Sequence, residues 1–405
     1  MPVTPRQRLV RIALLAIPFG LYGWAVVFAT GAGYNGKIGP AYNALGQDWL
    51  IFYTAARAWH DGQAQLAYDQ VWLAQTMNRT YAHWISNPMP YPGFHYPPTW
   101  LLILAPFSFL PMAAAYAASQ VLFFSGLLVA LHKAYRERTQ FWVMSASLLL
   151  APASSNNVLS GQNGFLVCGL FVAGFSLLET QPILAGAALG LATFKPQICL
   201  MIPFALLGAR NWRAIAGGLV SATGLALLSL AVFGPGVWTT WLGLLLHPRH
   251  DVGYSSVDWG RLWDDSVFTC AQLLGASKTA ANLCQAAATL LAGACVYLSF
   301  RRPLSADLRC AVFLAACVVG APHVSPYDMV LLALAATIVA WNSFDEAFRP
   351  IALAAPILGW LAPIYTPPRV SPVGLATPLV IFALIAMVLL KPPRTADAAE
   401  PAPAG

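Results

Sequence analysis

Twelve apolar runs, at residues 9–29, 112–131, 141–153, 164–178, 183–194, 198–207, 214–233, 280–300, 308–320, 329–341, 351–363 and 373–390, recur along this chain with only short polar breaks between most of them. A water-soluble fold has no use for so much unbroken apolar sequence, whereas a bilayer demands it at about 20 residues per helical crossing. Hydrophobic residues make up 58% and charged residues only 9%, far from the ~25% charge of soluble domains. The expectation is an all-α, polytopic transmembrane helix bundle of about twelve spans. Runs shorter than a full crossing must be extended by polar flanks or covered by protein, because lipid cannot satisfy an open backbone.

The net charge of +7 orients such a chain rather than binding nucleic acid, since the basic residues stand in ones to threes and form no stripe. Arg6, Arg8 and Arg11 precede the first run, whose apolar core is long for a cleaved signal peptide and is followed by a poor cleavage site, Ala29-Thr30-Gly31. With the amino terminus inside, the inner connections hold 14 of the 22 basic residues, including Lys133, Arg136, Arg138, Arg210, Arg213, Arg301, Arg302, Arg309, Lys391 and Arg394. That bias agrees with the positive-inside rule and places both termini inside. The stretch 96–111 is apolar but carries Pro97, Pro98, Pro106 and Pro111. Counted as a span it would put Lys133, Arg136 and Arg138 outside, so it is expected as a re-entrant or kinked lead-in to the next helix.

Residues 1–391 are expected to form one transmembrane unit, and the Pro- and Ala-rich 392–405 a disordered inner tail. No internal repeat marks inverted halves. Cys168, Cys199, Cys284, Cys295, Cys310 and Cys317 lie in apolar runs, with Cys270 near a loop and no CxxC; they are expected as small core hydrophobes, with no metal site.

Two long loops, 31–97 and 234–279, fall on the outer side together with the shorter connections 154–163, around Lys195, and 321–328. Eight of the 15 acids gather there: Asp48, Asp61, Asp69, Asp251, Asp258, Asp264, Asp265 and Asp328. Asp48 precedes an apolar, aromatic stretch suited to a helix lying in the interfacial plane, with Trp49, Tyr53 and Trp59 at headgroup depth; its plainest role is to cap that helix. Lys195, in Thr193-Phe194-Lys195-Pro196, either snorkels to water or holds an anion. Gly161-Gln162-Asn163 reads as a polar turn. In Ala321-Pro322-His323-Val324-Ser325-Pro326-Tyr327-Asp328, an imidazole at membrane depth calls for a partner. The mixed charges of the second loop, Arg261, Asp264 and Asp265 among them, read by default as a solvated surface. Nucleotide-binding and hydrolase fingerprints are absent, so an activated group for transfer would arrive on a lipid.

Several ordered pieces resemble glycosyltransferase family 87, polytopic enzymes that include polyprenyl-phosphate-mannose-dependent mannosyltransferases. They are Asp48 with Phe52-Tyr53, Asp61-Gly62 with Tyr68-Asp69, Tyr96-Pro97-Pro98 with Pro106 and Leu110-Pro111, Gly161-Gln162-Asn163, Gly186 with Gly190-Leu191-Ala192 and Lys195-Pro196, and Pro322-His323 with Tyr327-Asp328. The resemblance implies a GT-C type fold in the cell membrane, with its active site on the extracytoplasmic face. It implies transfer of a hexose, mannose-like, from a polyprenyl-phosphate sugar as co-substrate to a lipid or glycan acceptor, without a metal or other cofactor. Asp48 matches the family's base. Lys195 and His323 match polar positions facing the donor phosphate, and Arg261, Gln162, Asn163, Tyr96, Tyr327 and Asp328 complete the expected substrate-binding set. A membrane transporter or lipid flippase, and an outer-face glycan ligase, are the competing functions.

Overall fold

A computed structural model describes residues 5–33, 44–89, 93–246, 264–343, 350–365 and 372–390, and among them the regular elements are helices, with no strand. In chain order they are α1 (Pro5–Gly33), α2 (Gln47–His60), α3 (Gln70–Thr80), α4 (Pro98–Leu104), α5 (Met112–Ala134), α6 (Arg138–Leu150), α7 (Pro152–Ser160), α8 (Gly164–Leu177) and α9 (Pro182–Leu191). There follow α10 (Ile202–Ala209), α11 (Trp212–Phe233), α12 (Pro235–Leu246), α13 (Val267–Leu273), α14 (Lys278–Arg301), α15 (Ala306–Gly320), α16 (Val330–Ser343), α17 (Pro350–Tyr365) and α18 (Thr377–Leu389). Each of the twelve apolar runs falls on helix. Their starts follow local chemistry: Asn211, Ser266, Ser277 and Ser305 accept backbone N–H groups at the caps of α11, α13, α14 and α15. Prolines open α4, α7 and α9, where the missing N–H is not needed.

Three helices, α5, α11 and α14, are long and apolar enough to cross a membrane. Their 22 to 24 residues span roughly 33–36 Å at ~1.5 Å per residue, against a hydrocarbon core of ~30 Å. Their outer surfaces are inverted relative to a soluble protein: Leu219, Val220, Leu227 and Leu228 of α11 and Leu283, Leu290 and Leu291 of α14 are exposed. An apolar surface of that extent is one that lipid covers. At the centre, α15 is buried from Cys310 to Gly320 and α16 from Val330 to Val339. Helices α9 and α11 run parallel and nearly touch, since a Cβ on Gly186 would fall 1.8 Å from the Ala214 carbonyl oxygen and one on Gly190 2.3 Å from that of Gly218. Small residues four apart allow such close approach in membrane bundles, and here they deliver Lys195 to the end of α9.

The kinked stretch before α5 is α4 followed by a 3₁₀ turn, Ala105–Phe109. The twelve apolar residues Pro98–Phe109 reach only ~18 Å, and Trp100, Leu101 and Leu104 are fully buried in protein, so the protein interior covers this short segment. Three expectations need correction. The stretch 154–163 is mostly helix, α7, rather than a loop. Helix α2 does not turn its aromatic face to headgroups: Trp49 and Tyr53 are buried among protein side chains and only Trp59 stays part-exposed, against the rings of Phe109 and Phe233. Cys284 is exposed on α14 rather than in the core, although all seven cysteines are free and five are buried. The expected tail, 392–405, lies outside the described residues.

Candidate active site

Asp48 is placed by two glycines with left-handed backbones. Gly46 (φ 67°) caps α2, and Gly161 (φ 75°) ends α7. The Gly46 N–H donates to the Leu159 carbonyl at 2.8 Å, and a Cβ on Gly161 would lie 2.5 Å from that of Trp49, so only glycine lets the two turns meet. Asp48 therefore does not cap α2: no side-chain cap bond exists there. Its Oδ2 instead accepts from Gln162 Nε2 at 2.8 Å. Gln162 Oε1 in turn accepts from the Tyr96 hydroxyl at 3.1 Å, and the Gln162 carbonyl from Gln120 Nε2 at 3.2 Å. Asn157 donates to Gln120 at 3.1 Å and accepts from the Gly164 N–H at 2.8 Å. This chain of amides fixes the polar turn between α7 and α8.

Lys195 does not snorkel; it is 1% exposed. Its ammonium donates to Asn163 Oδ1 at 3.2 Å and to the Asp328 carboxylate, with the Tyr327 and Tyr96 rings 5.1 and 5.9 Å from Nζ. The anion it holds is thus this chain's own Asp328. That carboxylate also closes a capping box, accepting the Ser325 N–H at 3.2 Å. The Asn163 amide nitrogen, buried beside Lys195, has no acceptor among the described residues.

His323 finds the partner that its depth demands in Asp264, with Nδ1 3.4 Å from Oδ2. Asp264 is held from several sides, accepting from the Thr269 hydroxyl at 2.8 Å, the Ser266 N–H at 3.0 Å and the Val324 N–H at 3.2 Å. Burial would raise the Asp264 carboxyl, but the bonds from His323, Thr269 and Val324 bring it below the usual range. Burial would lower the imidazole, yet Asp264 and Asp328 lift it above its ordinary 6.5. The Asp48 carboxyl is pushed up to about 6 by burial, with Gln162, Lys195 and His323 pulling the other way. These mutual fields reflect convergence: Asp48, Gln162, Asn163, Tyr96, Lys195, Tyr327, Asp328 and His323 share one polar end of the bundle. Arg261 lies outside the described residues. Asp264, read from the sequence as part of a solvated surface, is instead buried and paired, and Gln120 and Asn157 escaped the sequence reading. A pair of uncharged amides in an apolar setting, at Asn156-Asn157, was the signal available for the last.

A carboxyl held near neutrality beside an ammonium and an imidazole suits a reaction that takes a proton from a hydroxyl while an anion departs. A family model, Glycosyltransferase family 87, matches residues 94–326. The chain belongs to glycosyltransferase family 87. Comparison with curated proteins and with solved structures gives no match. As a member of family 87 the protein is a membrane glycosyltransferase, and its apolar helices fit that assignment. The matched stretch holds Tyr96, Gln162, Asn163, Lys195, Asp264 and His323. It stops short of Tyr327 and Asp328 and leaves out Asp48, which joins the family 87 region through its hydrogen bond to Gln162.

Proposed function

We propose that this family 87 enzyme transfers a hexose, mannose-like, from a polyprenyl-phosphate sugar to a lipid or glycan acceptor on the extracytoplasmic face of the cell membrane. In this reading all twelve apolar helical stretches serve as membrane spans, with the termini inside and the polar end outside. The observation that carries it is the Asp48–Gln162 hydrogen bond, which holds a carboxylate with a pKa of about 6 beside Lys195 and His323. The acceptor hydroxyl gives its proton to Asp48 as its oxygen forms a bond to the anomeric carbon. The bond from that carbon to the phosphate oxygen breaks, and the electron pair leaves on polyprenyl phosphate. One base and one direct displacement invert the anomeric centre.

The phosphate needs positive charge more than a proton. His323, half-exposed and with Asp264 favouring its protonated form, is the group able to meet it as a cation; the ammonium of Lys195 is already engaged by Asp328 and Asn163. Lys195 acts instead by holding Asn163, whose unsatisfied amide nitrogen is a donor for a substrate oxygen. The test is transfer of radiolabelled sugar from polyprenyl phosphate in membranes containing Asp48→Asn protein. Loss of transfer with normal folding supports the assignment, and unchanged transfer removes Asp48 from the chemistry.

A further inference from the structure

Along α5 and α8, with its charged mouth at the end away from the polar cluster, runs a cleft of about 950 Å³. The two helices touch at Gly169, where an added Cβ would lie 3.1 Å from the Leu127 Cα. Toward Lys133 and Glu179 the cleft is lined by small side chains, Ala130 and Ala134 from α5 and Ala173 and Ser176 from α8. Leu166, Leu170 and Phe175 make the lining mostly apolar. Val129, 61% exposed on the surface, stands at the edge, so the cleft opens sideways to where lipid lies.

Its mouth carries four charges, Lys133, Arg136, Glu179 and Asp307, but they are not equivalent. Glu179 pairs with Arg309 at 3.5 Å, and Asp307 accepts from Gln140 at 3.0 Å. Lys133 and Arg136 are exposed and make no ion pair among the described residues. The cleft thus presents two uncommitted cations above an apolar slot, complementary to an amphiphile with an anionic head. Basic pockets between membrane helices bind such headgroups.

We propose that this cleft is a binding site for an anionic phospholipid, its headgroup on Lys133 and Arg136 and an acyl chain between α5 and α8. Its charged mouth lies about 20 Å from the candidate active site, the length of the 14-residue α8 at ~1.5 Å per residue, while its apolar lining reaches Phe123 and Leu166, within a turn of Gln120 and Asn163. It is nevertheless built on the same two helices: α5 carries Gln120, which holds the Gln162 carbonyl, and α8 begins directly after Asn163. Occupancy therefore braces the pair of helices on which the amide chain rests.

The test uses the full chain purified in detergent, with phosphatidylglycerol or phosphatidylcholine added in mixed micelles and inorganic phosphate as a third arm. The readouts are the unfolding midpoint and the lipid retained in native mass spectrometry. Phosphatidylglycerol is expected to raise the midpoint and to be retained over phosphatidylcholine on the order of 10-fold. The double variant Lys133→Ala/Arg136→Ala should abolish the preference. Gly126→Leu, which fills the cleft from a position where an added Cβ meets nothing within 4 Å, should do so with the charges intact. Equal effects of the two lipids, or a preference that survives the double variant, would overturn the proposal. A shift reproduced by inorganic phosphate alone would also overturn it, reducing the site to a simple anion site.

Discussion

Lys195 and His323 are both basic side chains at the polar end of the bundle, and each faces a carboxylate supplied by a distant segment, but their surroundings differ. The Lys195–Asp328 pair is sealed, with side chains 2% and 4% exposed; in the His323–Asp264 pair the carboxylate is 10% exposed and the imidazole 52%. A sealed pair has its charge cancelled by its partner and its hydrogen-bonding capacity used, so it acts as a strut joining the end of α9 to the turn before α16. An open pair keeps one face of a charged ring available to a ligand. Equal charge in the sequence therefore becomes unequal function once burial is known, and the two pairs should fail differently when broken.

The largest effect is expected at the strut. Lys195→Ala leaves a buried carboxylate without its cation, which costs about 3–5 kcal/mol, a large share of a typical stability of ~5–15 kcal/mol. Yield and unfolding midpoint should both drop. Replacing both partners with apolar residues, Lys195→Met with Asp328→Leu, should restore much of the midpoint, since a buried ion pair adds little over a well-packed apolar one, yet transfer should stay lost because Asn163 is no longer held. If Lys195→Ala melts like the native protein, the strut reading is wrong and the lysine is free to serve the phosphate.

Asp48→Asn should reverse that pattern, with activity lost and stability kept. Loss of a general base costs ~10²–10⁴-fold in rate, measured as sugar transfer. A carboxyl held at about 6 in the fold, against 3.8 for the free group, opposes folding when ionised: the cost is absent below pH 3.8, grows between 3.8 and about 6, and is complete above. It amounts to no more than ~3 kcal/mol, so the variant should melt at or above the native midpoint at pH 7.5. A lower midpoint would show that the Asp48–Gln162 bond is structural first.

At the open pair, His323→Ala should slow transfer by ~10²-fold, the scale for removing one charged donor from a developing anion, with a midpoint close to native because the imidazole is half in solvent. A strongly lowered midpoint would erase the contrast with Lys195.

The helical frame was legible because the apolar runs state it directly, and the landmarks Asp48, Gln162, Lys195 and His323 were legible as polar breaks in that pattern. What joins them was not. Lys195 meets Asp328 across 133 residues, Gln162 meets Asp48 across 114, and the Val324 N–H meets Asp264 across 60; no local period reports contacts that long. Asp264 was hidden for a second reason: in a loop of mixed charges, the solvated surface is the plainer reading until burial singles out one acid. Trp49 and Tyr53 misled in the same way, since an aromatic face suits both a headgroup layer and a protein core, and only the meeting of Gly46 with Gly161 selects the core.

The smallest and most discriminating prediction concerns Asp264. With Asp48 as base and His323 as the charged partner of the phosphate, kcat/KM should rise with pH through about 6 as Asp48 ionises and fall above 6.5 as His323 loses its proton. The stability that His323 contributes has the same sign: present below 6.5, lost as pH rises through its raised value. The part from Asp264 is present above 3.8 and lost as pH falls through its lowered value. Asp264→Asn removes the carboxylate that raises the imidazole, so the falling limb should move to lower pH. The rising limb should edge up as Asp48 loses some of the positive charge that holds its carboxyl down. Transfer should then drop at pH 7.5 and recover as the pH is lowered, so that the profile narrows from its alkaline side. A purely structural Asp264 would instead scale the whole profile down without changing its shape, because the Thr269, Ser266 and Val324 contacts carry no proton that titrates in this range, and that outcome would reduce the open pair to a second strut.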